Sequence, residues 1–174
     1  MKIKQFCLIN CLLVTFFSFA QKDIFDVART GTIDDVKALM EINSDTINVV
    51  NEKGFVPLTL SCYNGNTEVA LFLATMVKDI DGNSDYGTPL MAAVYKNRPL
   101  IVERLLELNA NPNLADVNGT TSLHYAIIFR NEKIIKLLMD AKADVDFKDN
   151  RGNSAKNYAA MTSNESIIDL INKK

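Results

Sequence analysis

Apolar residues recur at helical spacing in five segments of the chain, and short polar stretches that contain a glycine separate these segments. Apolar positions three and four residues apart share one face of an α-helix, so each segment predicts a helix with one buried face. The predicted core positions are Val36, Leu39 and Met40; Val69, Phe72 and Leu73; Ile101, Val102, Leu105 and Leu106; Ile134, Ile135, Leu137 and Leu138; and Ile167, Ile168, Leu170 and Ile171.

The polar stretches repeat as four tetrapeptides that end in glycine, and these glycines are 33, 32 and 33 residues apart. An Asp, Asn or Ser at the first place and a Gly at the fourth are typical of a type I β-turn. A fixed period of this length indicates a repeat architecture. The tetrapeptides are Asn51-Glu52-Lys53-Gly54, Ser84-Asp85-Tyr86-Gly87, Asp116-Val117-Asn118-Gly119 and Asp149-Asn150-Arg151-Gly152.

A helix start follows the turns, most clearly at Thr88-Pro89-Leu90, and Thr121-Ser122-Leu123 aligns with it. Thr88 suits the N-cap because its side-chain oxygen can accept a hydrogen bond from a free backbone N–H. Pro89 suits the first helical position because it lacks an N–H that would be unpaired there anyway. The leucine that follows is the first core residue of each unit.

Three departures from this pattern are informative. Val56 occupies the cap position of the second unit but has no oxygen that could accept a hydrogen bond. One residue is missing between Gly87 and the following helix, so we expect that turn to be distorted. In the fifth unit Lys156 replaces a core leucine, which suits an end unit because the outer face of such a unit must be polar.

A turn followed by two short helices, repeated about every 33 residues, resembles the ankyrin repeat. The likeness is most specific in residues 105–113 (LLELNANPN) and 121–126 (TSLHYA), which are similar to the closing and opening motifs of that family. The resemblance implies an all-α fold, an ankyrin-repeat solenoid of about five helix-turn-helix repeats joined by β-turn fingers. The predicted ankyrin repeat domain covers residues 21–174, with repeats over residues 22–53, 54–86, 87–118, 119–151 and 152–174.

Residues 1–20 have the layout of a secretory signal peptide. Lys2 and Lys4 give a positive start, an apolar run extends over residues 6–17, and the small residues Ser18 and Ala20 precede a cleavage site. An uncleaved anchor or a buried N-terminal helix is the alternative, but the apolar run is shorter than the roughly 20 residues that span a bilayer. We expect an exported protein, periplasmic or secreted, with no stable membrane span after the leader is cleaved.

Charge argues against a nucleic-acid partner. Without Lys2 and Lys4 the 19 basic residues become 17, against 21 acidic residues, which is a formal net charge of −4. Proteins that bind nucleic acids usually carry a basic face, and this chain has no block of like charge. We expect a monomer whose partner is another protein.

Residues suited to catalysis or metal binding are few. His124 is the only histidine, so a catalytic triad or a metal site would have to be built around it. The resemblance implies a structural role instead, with the ring bonded to the Thr121 hydroxyl. Cys62 is the only cysteine beyond the leader, and its apolar and small neighbours favour a packed core thiol over a reactive one. We expect no cofactor, no metal and no enzymatic activity.

The predicted binding surface consists of the turn tips and the exposed positions of the first helices, which is what the resemblance implies. All five tyrosines fall on these positions, and tyrosine is enriched at binding hot spots, so we expect a tyrosine ladder along the concave face. The alternative is that several tyrosines pack between neighbouring first helices and stabilise the fold. The predicted site residues are Tyr63, Tyr86, Tyr95, Tyr125, Phe129, Tyr158, Glu52, Lys53, Asn118 and Arg151. Further first-helix positions that we expect to be exposed are Asp26, Arg29, Leu60, Asn64, Ala92, Lys96, Ile128 and Met161.

These features favour an exported scaffold that grips a protein partner by rigid surface complementarity. An inhibitor or immunity protein, which neutralises a toxin or enzyme, is one alternative. A secreted effector that acts on host proteins is another. The fold does not decide among these roles, because one fold supports many functions.

Overall fold

Short helices occur in pairs along the chain. The computed structural model describes residues 23–82 and 84–172, and the predicted leader over residues 1–20 lies outside them. A 3₁₀ helix over Ser44–Asn48 follows the second α-helix. The α-helices of the described residues are α1 (Ile24–Thr30), α2 (Ile33–Ile42), α3 (Pro57–Asn64), α4 (Thr67–Ala74), α5 (Pro89–Tyr95), α6 (Pro99–Glu107), α7 (Ser122–Ile128), α8 (Glu132–Asp140), α9 (Ala155–Thr162) and α10 (Glu165–Asn172).

The helix pairs stack in chain order. The odd-numbered helices, which are the first helices of the repeats, contact one another in sequence, and the even-numbered second helices form a parallel row of contacts. The two helices of each pair also contact each other. Each pair therefore covers the apolar face of the next, and the predicted all-α ankyrin solenoid is confirmed. Every helix in the described part of the chain falls short of the length and apolar character needed to cross a bilayer.

One apolar core runs between the two rows. Leu58, Leu90 and Leu123, which open three first helices, are fully buried. Predicted core positions of the second helices are buried at Val36, Val69, Leu73, Ile101, Val102, Leu105, Ile134, Ile135, Leu138, Ile167 and Ile171. The other predicted positions pack against this core but are only partly buried: Leu39, Met40, Phe72, Leu106, Leu137, Ile168 and Leu170.

The predicted caps begin the first helices. Oγ1 of Thr88 accepts a hydrogen bond from the backbone N–H of Met91 at 3.2 Å, and Pro89 holds the first helical position. Val56 stands at the equivalent place of α3 and makes no side-chain cap bond. The start of α3 therefore depends on Pro57 and on packing.

Four fingers connect the pairs, and we number them finger 1 (residues 51–54), finger 2 (84–87), finger 3 (116–119) and finger 4 (149–152). Gly119 and Gly152 have φ angles of +72° and +82°, which glycine adopts without strain. Fingers 3 and 4 close with bridges between residues six apart, at 115–121 and 148–154. Finger 2 closes between Ser84 and Gly87, so the distortion predicted from the missing residue is confirmed.

Polar side chains also join successive repeats. In three of them a side-chain oxygen accepts a hydrogen bond from a backbone N–H of the next repeat: Asn48 from Lys78 (2.9 Å), Asp81 from Asn111 (2.9 Å) and Asn113 from Asp144 (2.7 Å). At the equivalent position of the fourth repeat, Oδ1 of Asp146 accepts a hydrogen bond from Nζ of Lys156 at 2.7 Å. Lys156 is exposed, as its position on a polar outer face predicts.

Candidate functional site

An exposed apolar stripe crosses the last turn of the first helices. We define the apolar stripe as Tyr63, Tyr95, Ile128, Phe129 and Met161. All except Phe129 stand six residues after the first residue of their helix, so the repeat brings them to equivalent places. Each of the five side chains is at least 44% exposed. Large apolar side chains grouped in this way are candidates for burial against another molecule.

Tyr95 is the centre of the apolar stripe. Its ring stacks on Tyr63 with 6.2 Å between the centroids, and it meets Phe129 edge-on at 5.2 Å. Tyr125 also approaches it edge-on, at 5.8 Å. Ring pairs at these separations attract each other in addition to excluding water. Rings from three successive repeats therefore form one contiguous surface.

Lys96 places a positive charge over the apolar stripe. Its Nζ lies 4.3 Å from the ring centroid of Tyr63 and 6.0 Å from that of Tyr95, which is a cation–π geometry. Among residues 23–82 and 84–172, no carboxylate lies within 4.0 Å of this ammonium group. The rings hold the charge in place without neutralising it.

Tyr125 and Tyr158 make a different kind of contact. The Tyr125 hydroxyl donates a hydrogen bond to Oδ2 of Asp116 at 2.6 Å, and the Tyr158 hydroxyl donates one to Oδ2 of Asp149 at 2.6 Å. Oδ1 of each aspartate accepts two backbone N–H groups, one within its own finger and one directly after it. We call these two pairs the clamps, because each fixes a finger to the first helix that follows it.

The clamp hydrogen bonds affect the pKa values of Tyr125, Tyr158 and Asp149. Burial, and then the bond to Asp116, raise the pKa of Tyr125, whereas the bond to Asp149 is the main cause of the raised pKa of Tyr158. Burial alone would raise the pKa of Asp149, but hydrogen bonds from Tyr158 and from finger N–H groups outweigh it, so this pKa is lowered. An ionised aspartate beside a neutral tyrosine is therefore the favoured state of this clamp.

The five tyrosines thus fall into two structural groups. Tyr63, Tyr86 and Tyr95 are exposed, and Tyr125 and Tyr158 are partly buried in the clamps. The first group has the exposure that the expected ladder requires, although Tyr63 and Tyr95 also stack between neighbouring first helices, and the second group is tied to fingers. A role of either group in binding stays a prediction.

His124 is buried between two repeats. Its Nδ1 accepts from the backbone N–H of Thr121 at 3.2 Å and lies 2.8 Å from the Thr121 hydroxyl, so the predicted contact is confirmed. Its Nε2 lies 3.3 Å from the carbonyl oxygen of Asn153 in the next repeat, a contact that the sequence did not predict. Because Nδ1 accepts, the proton of the neutral ring belongs on Nε2. Burial lowers the pKa of His124 more than the backbone hydrogen bonds of Asn153 and Phe147 and the nearby carboxylates of Asp149 and Asp116 raise it.

Cys62 is fully buried, and burial raises the pKa of its thiol. A protonated thiol in a packed interior is a poor nucleophile. The expected core thiol is therefore confirmed. Within the part of the chain that the structure describes, no three His, Cys, Asp or Glu side chains cluster as a metal site would require.

The predicted finger-tip residues are all exposed: Glu52, Lys53, Tyr86, Asn118 and Arg151. Backbone hydrogen bonds join the later fingers into a row. The N–H of Val117 donates to the carbonyl of Asp85 at 3.1 Å, and the N–H of Asn150 donates to the carbonyl of Asn118 at 3.0 Å. The tips therefore present a connected edge beside the apolar stripe.

A groove of about 990 Å³ lies between fingers 1 and 2 and the helices α3 and α5. Tyr63 and Tyr95 line its helix side, and Phe55 and Tyr86, whose ring centroids are 5.2 Å apart, line its finger side. The groove is bounded by further residues of both elements, including Lys53, Thr59, Leu60, Met91 and Ala92.

Leu60 and Ala92 correct an expectation from the sequence. Both were expected to be exposed first-helix positions, but they are only 7% and 9% exposed, at the floor of the groove. Their place on the helix faces the space beneath the fingers, which only the folded chain reveals. Phe55 was missed as a candidate, and the available signal was an aromatic residue directly after the glycine of a finger.

Comparison with known protein families agrees with this architecture. A family model of ankyrin repeats in three copies matches residues 24–116 and 101–174. The chain belongs to the ankyrin repeat family. Ankyrin repeats imply protein–protein interaction, and the family is generally non-enzymatic.

Curated proteins with ankyrin repeats are similar to part of the chain. The nuclear factor NF-kappa-B p105 subunit of Gallus gallus is 32% identical over 117 residues, which is 63% of this chain and 12% of that protein. Ankyrin repeat and SAM domain-containing protein 6 of Mus musculus is 30% identical over 111 residues, covering 63% and 13%. NF-kappa-B inhibitor delta of Mus musculus is 44% identical over 55 residues, covering 31% and 17%. The matched segments are thus less than a fifth of each relative.

The candidate site of these ankyrin repeats therefore has three parts: the apolar stripe, the groove and the row of finger tips. The helices place the apolar stripe, because equivalent positions of successive ankyrin repeats point the same way. The clamps hold fingers 3 and 4 against that surface. The arrangement suits contact with a large partner surface.

Proposed function

We propose that this protein is an exported ankyrin-repeat scaffold that binds a protein partner through the apolar stripe, the groove and the finger tips. The contiguous rings of Tyr63, Tyr95 and Phe129 carry the proposal, because they are exposed although each packs against a neighbour. Aromatic side chains in such clusters supply much of the binding energy at protein interfaces. The clamps support it as well, since a surface held in one shape loses little conformational entropy on binding.

Export is the part of the proposal that rests on the leader pattern of residues 1–20. The intact mass of the protein recovered outside the cytoplasm tests it. A chain that begins at Gln21 supports export with cleavage. A chain that keeps residues 1–20 and stays in the cytoplasm contradicts it.

A second candidate role is inhibition of the bound protein. The 44% identity over 55 residues to a protein named as an NF-kappa-B inhibitor favours this role. In both cases the chain acts as a monomer without catalysis. The burial of His124 and Cys62 supports a non-enzymatic role, because neither side chain can reach a substrate.

Site-specific photocrosslinking tests whether the apolar stripe meets a partner. A photoreactive phenylalanine analogue replaces Phe129, and the same analogue replaces Leu100 as the control, because Leu100 is 61% exposed on α6. We expect one protein to crosslink from position 129 and not from position 100. Tyr95→Ala should lower that yield by about tenfold, as the loss of a central aromatic residue does at interfaces. Equal crosslinking from both positions, or a yield that Tyr95→Ala leaves unchanged, contradicts the proposal.

A further inference from the structure

The groove is open in the second and third repeats because the side chains at one position of their first helices are short. In the fourth and fifth repeats a tyrosine at the equivalent position fills that space. Tyr125 and Tyr158 stand three residues after the first residue of α7 and α9, and each reaches from its helix to the preceding finger. The equivalent places of α3 and α5 hold Leu60 and Ala92, which line the groove. Leucine and alanine are too short to bridge helix and finger. A place of the size of a tyrosine therefore stays open beneath fingers 1 and 2.

The floor of this open place contains an unsatisfied polar group. Thr59 lines the groove and is 4% exposed, and its hydroxyl has no hydrogen-bond partner among the described residues. In the fourth repeat the equivalent place holds His124, which bonds to Thr121. Buried hydroxyl groups usually have a partner. This oxygen is itself enclosed, so Thr59 contributes a buried part of the groove floor and not a contact for a bound molecule.

Lys96 places a positive charge beside the groove. Nζ of Lys96 lies over Tyr63, which lines the groove, and it has no carboxylate within 4.0 Å among the residues that the structure describes. Oδ2 of Asp116 and Oδ2 of Asp149 accept hydrogen bonds from the clamp tyrosines instead. A carboxylate of a partner would therefore complement this lysine.

We propose that the groove binds a segment of the partner protein that presents an aromatic side chain next to a carboxylate. The aromatic ring lies over Ala92, in the place that Tyr125 fills in the following repeat, and the carboxylate pairs with Lys96. Tyr63, Tyr95 and Phe55 surround the ring. The inference rests on the proposed function and specifies the chemistry of the segment that the partner contributes.

A set of blocked hexapeptides tests the two requirements separately. The parent sequence is Gly-Ser-Tyr-Glu-Ser-Gly, and two variants replace its tyrosine by alanine or its glutamate by glutamine. Each is titrated into the ¹⁵N-labelled full chain, and amide shifts are followed by NMR. We expect the parent peptide to shift the amides of Thr59 and Ala92 and to bind about tenfold more tightly than the alanine variant. Equal binding of these two peptides, or no shifts at these amides, overturns the inference.

Two variants of the protein test the assignment to the groove and to Lys96. Ala92→Tyr fills the open place and should lower the affinity for the parent peptide by about tenfold. Leu100→Tyr adds the same side chain on α6, outside the groove, and should bind the parent peptide with the affinity of the wild type. Lys96→Gln should remove the preference for the glutamate peptide over the glutamine peptide. Undiminished binding by Ala92→Tyr, or a preference that survives in Lys96→Gln, overturns the inference.

The outcome stays decisive even if Ala92→Tyr does not fold, because the peptide comparison on the wild-type chain tests the same requirement for an aromatic ring. The experiment also separates this inference from the proposed function. A Phe129 crosslink that Ala92→Tyr leaves unchanged, together with no peptide binding, overturns only the inference. The absence of any crosslink from position 129 contradicts the proposed function itself.

Discussion

The Tyr125 hydroxyl and Oδ2 of Asp116 are 2.6 Å apart, so a first helix holds the finger that precedes it in the chain. Asp116 at the same time accepts the backbone N–H groups of Asn118 and Thr120 through its other oxygen. One carboxylate thus orders the turn and anchors it to the helix. The Tyr158–Asp149 clamp repeats the arrangement in the next unit.

We expect Tyr125→Phe to lower the free energy of unfolding by about 1–2 kcal/mol, because it removes a hydrogen bond to a charged, largely buried group. Urea denaturation measures this change. Tyr95→Phe is the matched control, since the Tyr95 ring makes packing contacts in the apolar stripe. An equal effect of the two substitutions would show that the clamp does not stabilise the finger.

The two groups of tyrosines should respond differently to truncation. Tyr95→Ala should cost about 1 kcal/mol of stability, from the loss of ring contacts at an exposed site, and should weaken partner binding about tenfold. Tyr125→Ala should cost roughly 2–3 kcal/mol, because it removes packing and the bond to Asp116 together. Thermal and urea denaturation, with crosslinking from position 129, measure both effects. A Tyr95→Ala protein that unfolds at room temperature would assign that ring to the core and not to a binding surface.

The free energy of unfolding should fall as the pH is lowered from about 7 to about 5. The pKa of His124 is lowered in the folded state, so the unfolded chain, with a histidine pKa near 6.5, takes up this proton at higher pH. The contribution of the neutral ring is complete above about pH 6.5 and is lost as the pH falls towards the folded pKa, by up to about 1.4 kcal/mol per pH unit.

Urea denaturation across this range measures the effect, and His124→Gln is the control that should flatten the profile. The lowered pKa of Asp149 adds a separate loss below about pH 4, which the control keeps. A wild-type profile that is flat between about pH 7 and pH 5 would contradict the burial of a neutral His124 ring.

Val56→Thr should raise the free energy of unfolding by about 1 kcal/mol. Val56 is the N-cap of α3 and makes no side-chain bond, whereas Thr88 in the same place of α5 accepts from the N–H three residues later. A threonine oxygen at position 56 would accept from the N–H of Thr59. Chemical denaturation measures the gain, and Val56→Ala serves as the comparison that adds no oxygen. No change, or a loss, would mean that a hydroxyl at position 56 does not cap α3.

The amino-acid sequence by itself determined the repeat. Turn glycines such as Gly119, caps such as Thr88 and the apolar spacing of the second helices act within a few residues of one another, so they can be read along the chain. The same local pattern predicted the shortened finger 2, and the resemblance to ankyrin repeats implied the contact between His124 and Thr121. The alignment of the repeats also placed the candidate tyrosines on first helices and turns, because each sequence position corresponds to one place in the repeat.

Only the tertiary structure decided what those candidates do. Tyr95 and Tyr125 are both tyrosines of a first helix, but one lies in the exposed apolar stripe and the other binds Asp116. The difference depends on which side of the helix meets a finger, and the fingers take their places only when the repeats stack. The groove over Leu60 and Ala92 has the same origin, because the space appears only where a neighbouring repeat comes close and the side chain is too short to fill it.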